Sequence, residues 1–113
     1  MKLKAPETLA LWHGVMLRGL QDALPDLTAR QLTLLLHVYL AQPPHTVRGL
    51  AEALAMSKPA VSRALDRLCS LGFLRRATDR DDRRSILVQR TVKGSVFLRD
   101  FGDLAVKVAR EMK

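Results

Sequence analysis

Ten side chains between positions 57 and 84 are the kind with which a protein grips a polyanion: Ser57, Lys58, Ser62, Arg63 and Arg67, then Arg75, Arg76, Arg80, Arg83 and Arg84. Hydroxyls donate or accept hydrogen bonds. Lysine is a compact point charge, and arginine is a planar fork that fits phosphate oxygens or the acceptor edge of guanine. The first five fall on the polar side of a predicted helix, and the last three sit in the polar run DRDDRR. A helix followed by an arginine-tipped hairpin can reach a DNA major groove and the adjacent backbone or minor groove together. From Arg75 to Lys93 there are seven cations against three anions (Asp79, Asp81, Asp82), a local net of +4 out of +8 for the chain. Two plainer explanations compete. The helix face could simply be solvated, and the hairpin charges could neutralise one another as weak surface pairs. Ser57 also suits a helix cap, a role one hydroxyl can combine with a contact.

The elements that must hold these groups can be read from apolar spacing. Residues 7 to 24 carry Leu9, Trp12, Val15, Met16, Leu20 and Ala23 at steps of three and four, a helix stripe that Pro25 ends. Thr28 and Gln31 fit a capping box ahead of Leu32 to Leu40, a run apolar nearly all round and so expected at the centre. Thr46 caps a helix over 46–56 that buries Val47, Leu50, Ala51 and Leu54. Ser57 caps the next, with Pro59 in its first turn; it buries Val61, Ala64, Leu65, Leu68 and Leu71 and stops at Gly72. Phe73 to Thr78 and Ser85 to Gln89 have the pattern of two strands, and Thr91 caps a last helix. The expectation is a single domain over 1–113, mainly α with a small two-stranded β-wing. In it 46–71 form a helix-turn-helix, 73–90 the wing, and 1–24 and 91–113 the terminal helices.

Bulk properties agree with one soluble domain. The chain has 113 residues, 48% of them hydrophobic, which is enough for one core. Its 19 Lys and Arg against 11 Asp and Glu favour a polyanionic partner. One cysteine excludes an internal disulfide, and no secretory signal or membrane span is visible, so a cytoplasmic location is expected. An anionic membrane surface is disfavoured as a partner, because no helix sets a cationic face opposite an adequate apolar one.

The stretch LAEALAMSKPAVSRALDRLCSLGFLRR, the tip DRDDRRS and the following LVQRTVKG resemble the MarR family of winged-helix regulators, over about residues 28 to 98. The resemblance implies a bacterial regulator, most often a repressor, that binds short palindromic double-stranded DNA as a homodimer. It also implies release of DNA on binding a small lipophilic effector. It makes helix 58–71 the recognition helix and Arg83 the wing arginine at the minor groove, braced by Asp79 or Asp81. The terminal helices are short for that family. A dimer contact is expected from Trp12, Val15 and Met16 with Phe97, Phe101, Leu104 and Val108; the alternative is that these helices pack on each other within one chain.

No cofactor is expected. His13, His37 and His45 lie in separate segments without metal-ligand spacing, and no phosphate loop or nucleophile–base pair is visible, so the chain is not expected to be an enzyme. Cys69 faces the core side of its helix and reads as a structural thiol. The rival function is a winged-helix module that binds another protein, with weak or no DNA binding.

Overall fold

The computed structural model describes residues 3–112. The elements run α1 (Ala5–Gln21), α2 (Ala29–Leu40), β1 (His45–Thr46), α3 (Val47–Leu54), α4 (Lys58–Ser70), β2 (Leu74–Thr78), β3 (Ile86–Arg90) and α5 (Val92–Glu111). They form two compact units. One spans residues 27–97; the other combines the described residues up to 26 with those from 98 onward.

In the 27–97 unit the expected caps are in place. Gln31 N donates to Thr28 Oγ1 at 3.1 Å and Thr28 N donates to Gln31 Oε1 at 3.0 Å, closing the capping box of α2. Leu34, Leu35 and Val38 of α2 are fully buried. They pack with Leu50, Val61, Leu65 and Leu68 in the core beneath the helix pair. Thr46 Oγ1 accepts from Gly49 N at 2.9 Å to start α3, and Ser57 Oγ accepts from Ala60 N at 3.2 Å to start α4. The turn between them passes through Ala55 in the left-handed region (φ 52°), an uncommon place for a residue with a Cβ. Helix α4 ends at Gly72 (φ 80°), where Phe73 N donates to Leu68 O in a glycine-type helix stop.

The wing is larger than expected by one strand. The sheet is antiparallel throughout in the order β1-β3-β2, with β1 pairing His45 to Val88 and Thr46 to Leu87. A two-residue strand has no alternation to read, and its partner lies far along the chain. In β2–β3 the register runs from Leu74 opposite Arg90 to Thr78 opposite Ile86. A polar lock joins α2 to the sheet. Tyr39 Oη donates to Phe73 O at 2.8 Å and accepts from Thr91 N at 3.0 Å. Thr91 Oγ1 donates to Gly72 O at 2.7 Å and accepts from Gly94 N at 2.9 Å, which caps α5. Only glycine fits at 94, since a Cβ would overlap Tyr39 Oη and the Phe73 carbonyl. Arg90 is likewise occupied: its Nε and Nη2 donate to the Val38 and Ala41 carbonyls at 2.9 and 3.1 Å.

In the other unit, α1 and the later part of α5 meet where Gly14 admits Val108; a Cβ at 14 would lie 2.6 Å from Val108 Cγ1. Val15 and Val108 are both buried, and Arg18 pairs with Glu111 at 3.1 Å. Those two valines are therefore spent on packing inside one chain and do not form an outward contact surface. Phe97, in the 27–97 unit, stacks on Phe73 with ring centroids 4.4 Å apart and is spent in the same way. Phe101 and Leu104 are half-buried. Trp12 and Met16 stay exposed, at 57% and 43%, on a stripe with Leu9 and Leu20. No helix of the described residues is long and apolar enough to cross a membrane.

Candidate nucleic-acid interface

Helix α4 has two distinct sides. Val61, Ala64, Leu65 and Leu68 are buried, which by helical periodicity turns Lys58, Ser62, Arg63, Asp66 and Arg67 outward. Lys58, Arg63 and Arg67 are exposed and Ser62 is half-buried. Ser57 sits at the mouth of the helix with its oxygen already accepting from Ala60 N, so its hydroxyl proton is left to donate outward. None of the ion pairs among the described residues involves Lys58, Arg63 or Arg67. The local pairing of Arg63 or Arg67 with Asp66, the plainer alternative, is not made.

Asp66 is taken by Arg76 instead. Arg76 Nη2 donates to Asp66 Oδ1 at 2.9 Å and to the Ser62 carbonyl at 3.0 Å. The residue thus crosses from β2 to α4 and ties the wing base to the helix. Arg75 and Arg76, both expected to add phosphate contacts, are separated by strand geometry. Successive residues point to opposite faces of a sheet. Arg76 points to α4, and Arg75 points to the other face, where its Nε donates to Gln89 Oε1 at 2.9 Å. That alternation was visible in the sequence as two adjacent arginines within one predicted strand.

At the wing tip Arg80, Arg83 and Arg84 are exposed, and no ion pair among the described residues includes them. Two of the three tip carboxylates, Asp79 and Asp82, accept bonds from within the loop. Asp79 Oδ1 accepts from Asp81 N at 2.9 Å, and Asp82 accepts from Arg84 N at 3.0 Å and from Ser85 Oγ at 3.2 Å. The two bonds to main-chain N–H groups each reach two residues ahead, which folds the loop. The brace expected between Asp79 or Asp81 and the Arg83 guanidinium is therefore not what the wing shows. Asp79 and Asp82 shape the turn that carries Arg83, and the part of Asp82 in it was missed in the sequence reading. Its signal was the spacing Asp82 to Arg84 at the hairpin tip.

Burial pushes the Cys69 thiol above its ordinary value, against the opposing pull of the nearby Arg76 cation. The thiol is thus held protonated, in keeping with a structural part. Among the described residues no group of three or more His, Cys, Asp or Glu side chains could hold a metal ion.

The MarR family model matches residues 26–85, which takes in the helix pair and the wing up to its tip. The chain belongs to the MarR family. No curated protein sequence matches it. Among solved structures, the transcriptional regulator Tm0710 from Thermotoga maritima is similar at 22% identity and TM-score 0.76, over 93% of this chain and 71% of that one. Structures of MepR from S. aureus are also similar. One, described as a MepR–DNA complex, matches at 26% identity and TM-score 0.67, over 73% of this chain and 67% of that one. MarR itself aligns over 100% of this chain and 85% of its own, at 22% identity and TM-score 0.69. Within this MarR-family frame α3 and α4 are the helix-turn-helix, and β2–β3 with the short β1 are the wing.

Proposed function

We propose that this MarR-family protein binds double-stranded DNA sequence-specifically and regulates transcription, acting as a homodimeric repressor. The observation that carries the reading is the set of outward cations on α4 and at the wing tip, none of which is in an ion pair among the described residues. Charges left unpaired on the surface of one unit are available to phosphates. A solved MarR-type structure described as a DNA complex supports the same reading. On this proposal Lys58, Ser62, Arg63 and Arg67 present α4 to base edges and flanking phosphates in the major groove, while Arg80, Arg83 and Arg84 meet the backbone or the minor groove. Regulation and not catalysis is the activity, and the cytoplasm is the place.

The dimer rests on the exposed α1 stripe of Leu9, Trp12, Met16 and Leu20. An apolar row of this kind on one helix suits contact with its copy about a two-fold axis. Two copies would repeat the contact about 34 Å along the duplex, which matches a palindromic site. Occlusion of a promoter is the route to repression, and a small-molecule effector that releases DNA belongs to the same reading. The test is duplex binding by fluorescence anisotropy across a salt series. DNA binding is expected to weaken by roughly 0.9 power of salt concentration for each phosphate contacted. Binding absent at low salt would leave the protein-interaction module as the function.

A further inference from the structure

We infer that Ile86 of the wing selects A·T over G·C pairs in the minor groove, by offering no acceptor to the exocyclic amino group of guanine. The role rests on the proposed DNA binding and adds to it a residue that tests base pairs. Cross-strand partners share a face of the hairpin. Thr78 and Ile86, Arg76 and Val88, and Leu74 and Arg90 therefore lie on one side, with Arg75, Ala77, Leu87 and Gln89 on the other. The first side is the one turned to α4, because Arg76 reaches Asp66 and the Ser62 carbonyl from it. Along that side β3 leaves the core between two residues: Val88 is 3% exposed and Ile86 is 44% exposed.

Among the described residues Ile86 is the one large apolar side chain left exposed between positions 57 and 90. It follows Arg83, Arg84 and Ser85 in the chain, and Thr78 opposite it is exposed as well. Asp79 N donates to Ser85 O at 3.2 Å just beyond the pair, so Ile86 stands at the root of the arginine-bearing tip. A finger that enters a minor groove about 6 Å wide carries this side chain in beside the guanidinium groups. There the alkyl group meets sugar edges and the groove floor. A·T pairs show only acceptors on that floor, and G·C adds the guanine amino donor. Isoleucine cannot accept a hydrogen bond, so that donor is taken from water and left unpaired. The arginines attract any phosphate, and the isoleucine discriminates. The plainer role of an exposed isoleucine is to be a β-branched residue that suits a strand, and it predicts no such discrimination.

The test needs no operator. Poly(dI-dC) and poly(dG-dC) present the same major-groove edges, and their base pairs differ only by the guanine amino group in the minor groove. Both polymers are titrated at low salt, by fluorescence competition, against the full chain and against Ile86→Val and Ile86→Thr. Far-ultraviolet spectra establish that both variants keep the helical fold. Wild type is expected to bind poly(dI-dC) about fivefold or more tightly, the low end of what one unpaired donor costs. Ile86→Val is expected to keep that preference. Ile86→Thr keeps the β-branch and offers the amino group an oxygen, so the ratio is expected to fall to about one. Equal binding of the two polymers by wild type, or a ratio unchanged in Ile86→Thr, would overturn the role of Ile86 and leave DNA binding standing. Failure to bind either polymer would overturn the DNA reading and this role together.

Discussion

Replacing Arg76 by glutamine separates two roles that an arginine beside a recognition helix can have. In this structure Arg76 holds β2 to α4 through the Asp66 carboxylate and the Ser62 carbonyl. Removing it leaves neither partner stranded. The Asp66 side chain is 70% exposed and returns to water. The Ser62 carbonyl lies within α4, where the helix supplies its own donor. The ion pair is therefore worth only about 0.2–1 kcal/mol, and the bond to the carbonyl adds roughly 0.5–1.5 kcal/mol. A loss of about 1 kcal/mol is expected, which for a chain of this length lowers the melting temperature by about 4 °C. Urea unfolding with circular dichroism measures the first figure and a thermal scan the second. In DNA binding the slope of log affinity against log salt is expected to stay at the wild-type value, while affinity for a selected site falls as α4 loses its tie. If Arg76 instead touched a phosphate, the slope would drop by about 0.9. A reduced slope with unchanged stability would refute the positioning role.

Arg83→Ala is expected to do the reverse, with unchanged unfolding and a salt slope lower by about 0.9; the same anisotropy series reads it. Gly94→Ala drives a methyl into Tyr39 Oη and the Phe73 carbonyl, and a loss of about 1–3 kcal/mol or more is expected in chemical denaturation. Trp12→Glu puts a charge in the exposed α1 stripe and is expected to shift sedimentation from dimer to monomer while the far-ultraviolet spectrum stays helical. The Cys69 thiol has its pKa raised by burial in the folded state, so the folded chain holds that proton more tightly than the unfolded chain. Its contribution to stability is complete below the ordinary value of 9.0 and is lost as pH rises above it. Cys69→Ser should remove that part of the alkaline decline, seen as a flatter plot of unfolding free energy against pH.

Much of the reading head was legible because its signals are local. A cap and its target amide are three residues apart, so Thr28, Thr46, Ser57 and Thr91 announce their helices, and Gly72 marks a stop. Three things were not legible to the same degree. Strand β1 forms only because β3 comes to it, and no pattern two residues long can report that. The terminal helices show an apolar stripe, but periodicity does not say what covers it. Val15 and Val108 turn inward while Trp12 and Met16 do not. Asp79 and Asp81 were read as partners for the Arg83 guanidinium because charge is the obvious property of an aspartate. The shorter reach of an aspartate to its own backbone decides otherwise.

The two-residue strand β1 has a mechanical consequence. It leads directly into α3 at Thr46 while its backbone is paired to β3, one leg of the hairpin. Arg76 fastens the other leg to α4. The finger and the rod beside it are therefore clamped at both roots and cannot swivel independently. Under the proposed reading the helix and the finger meet a half-site as one piece, so the offset between its major-groove and minor-groove contacts is set by the protein and not by the duplex.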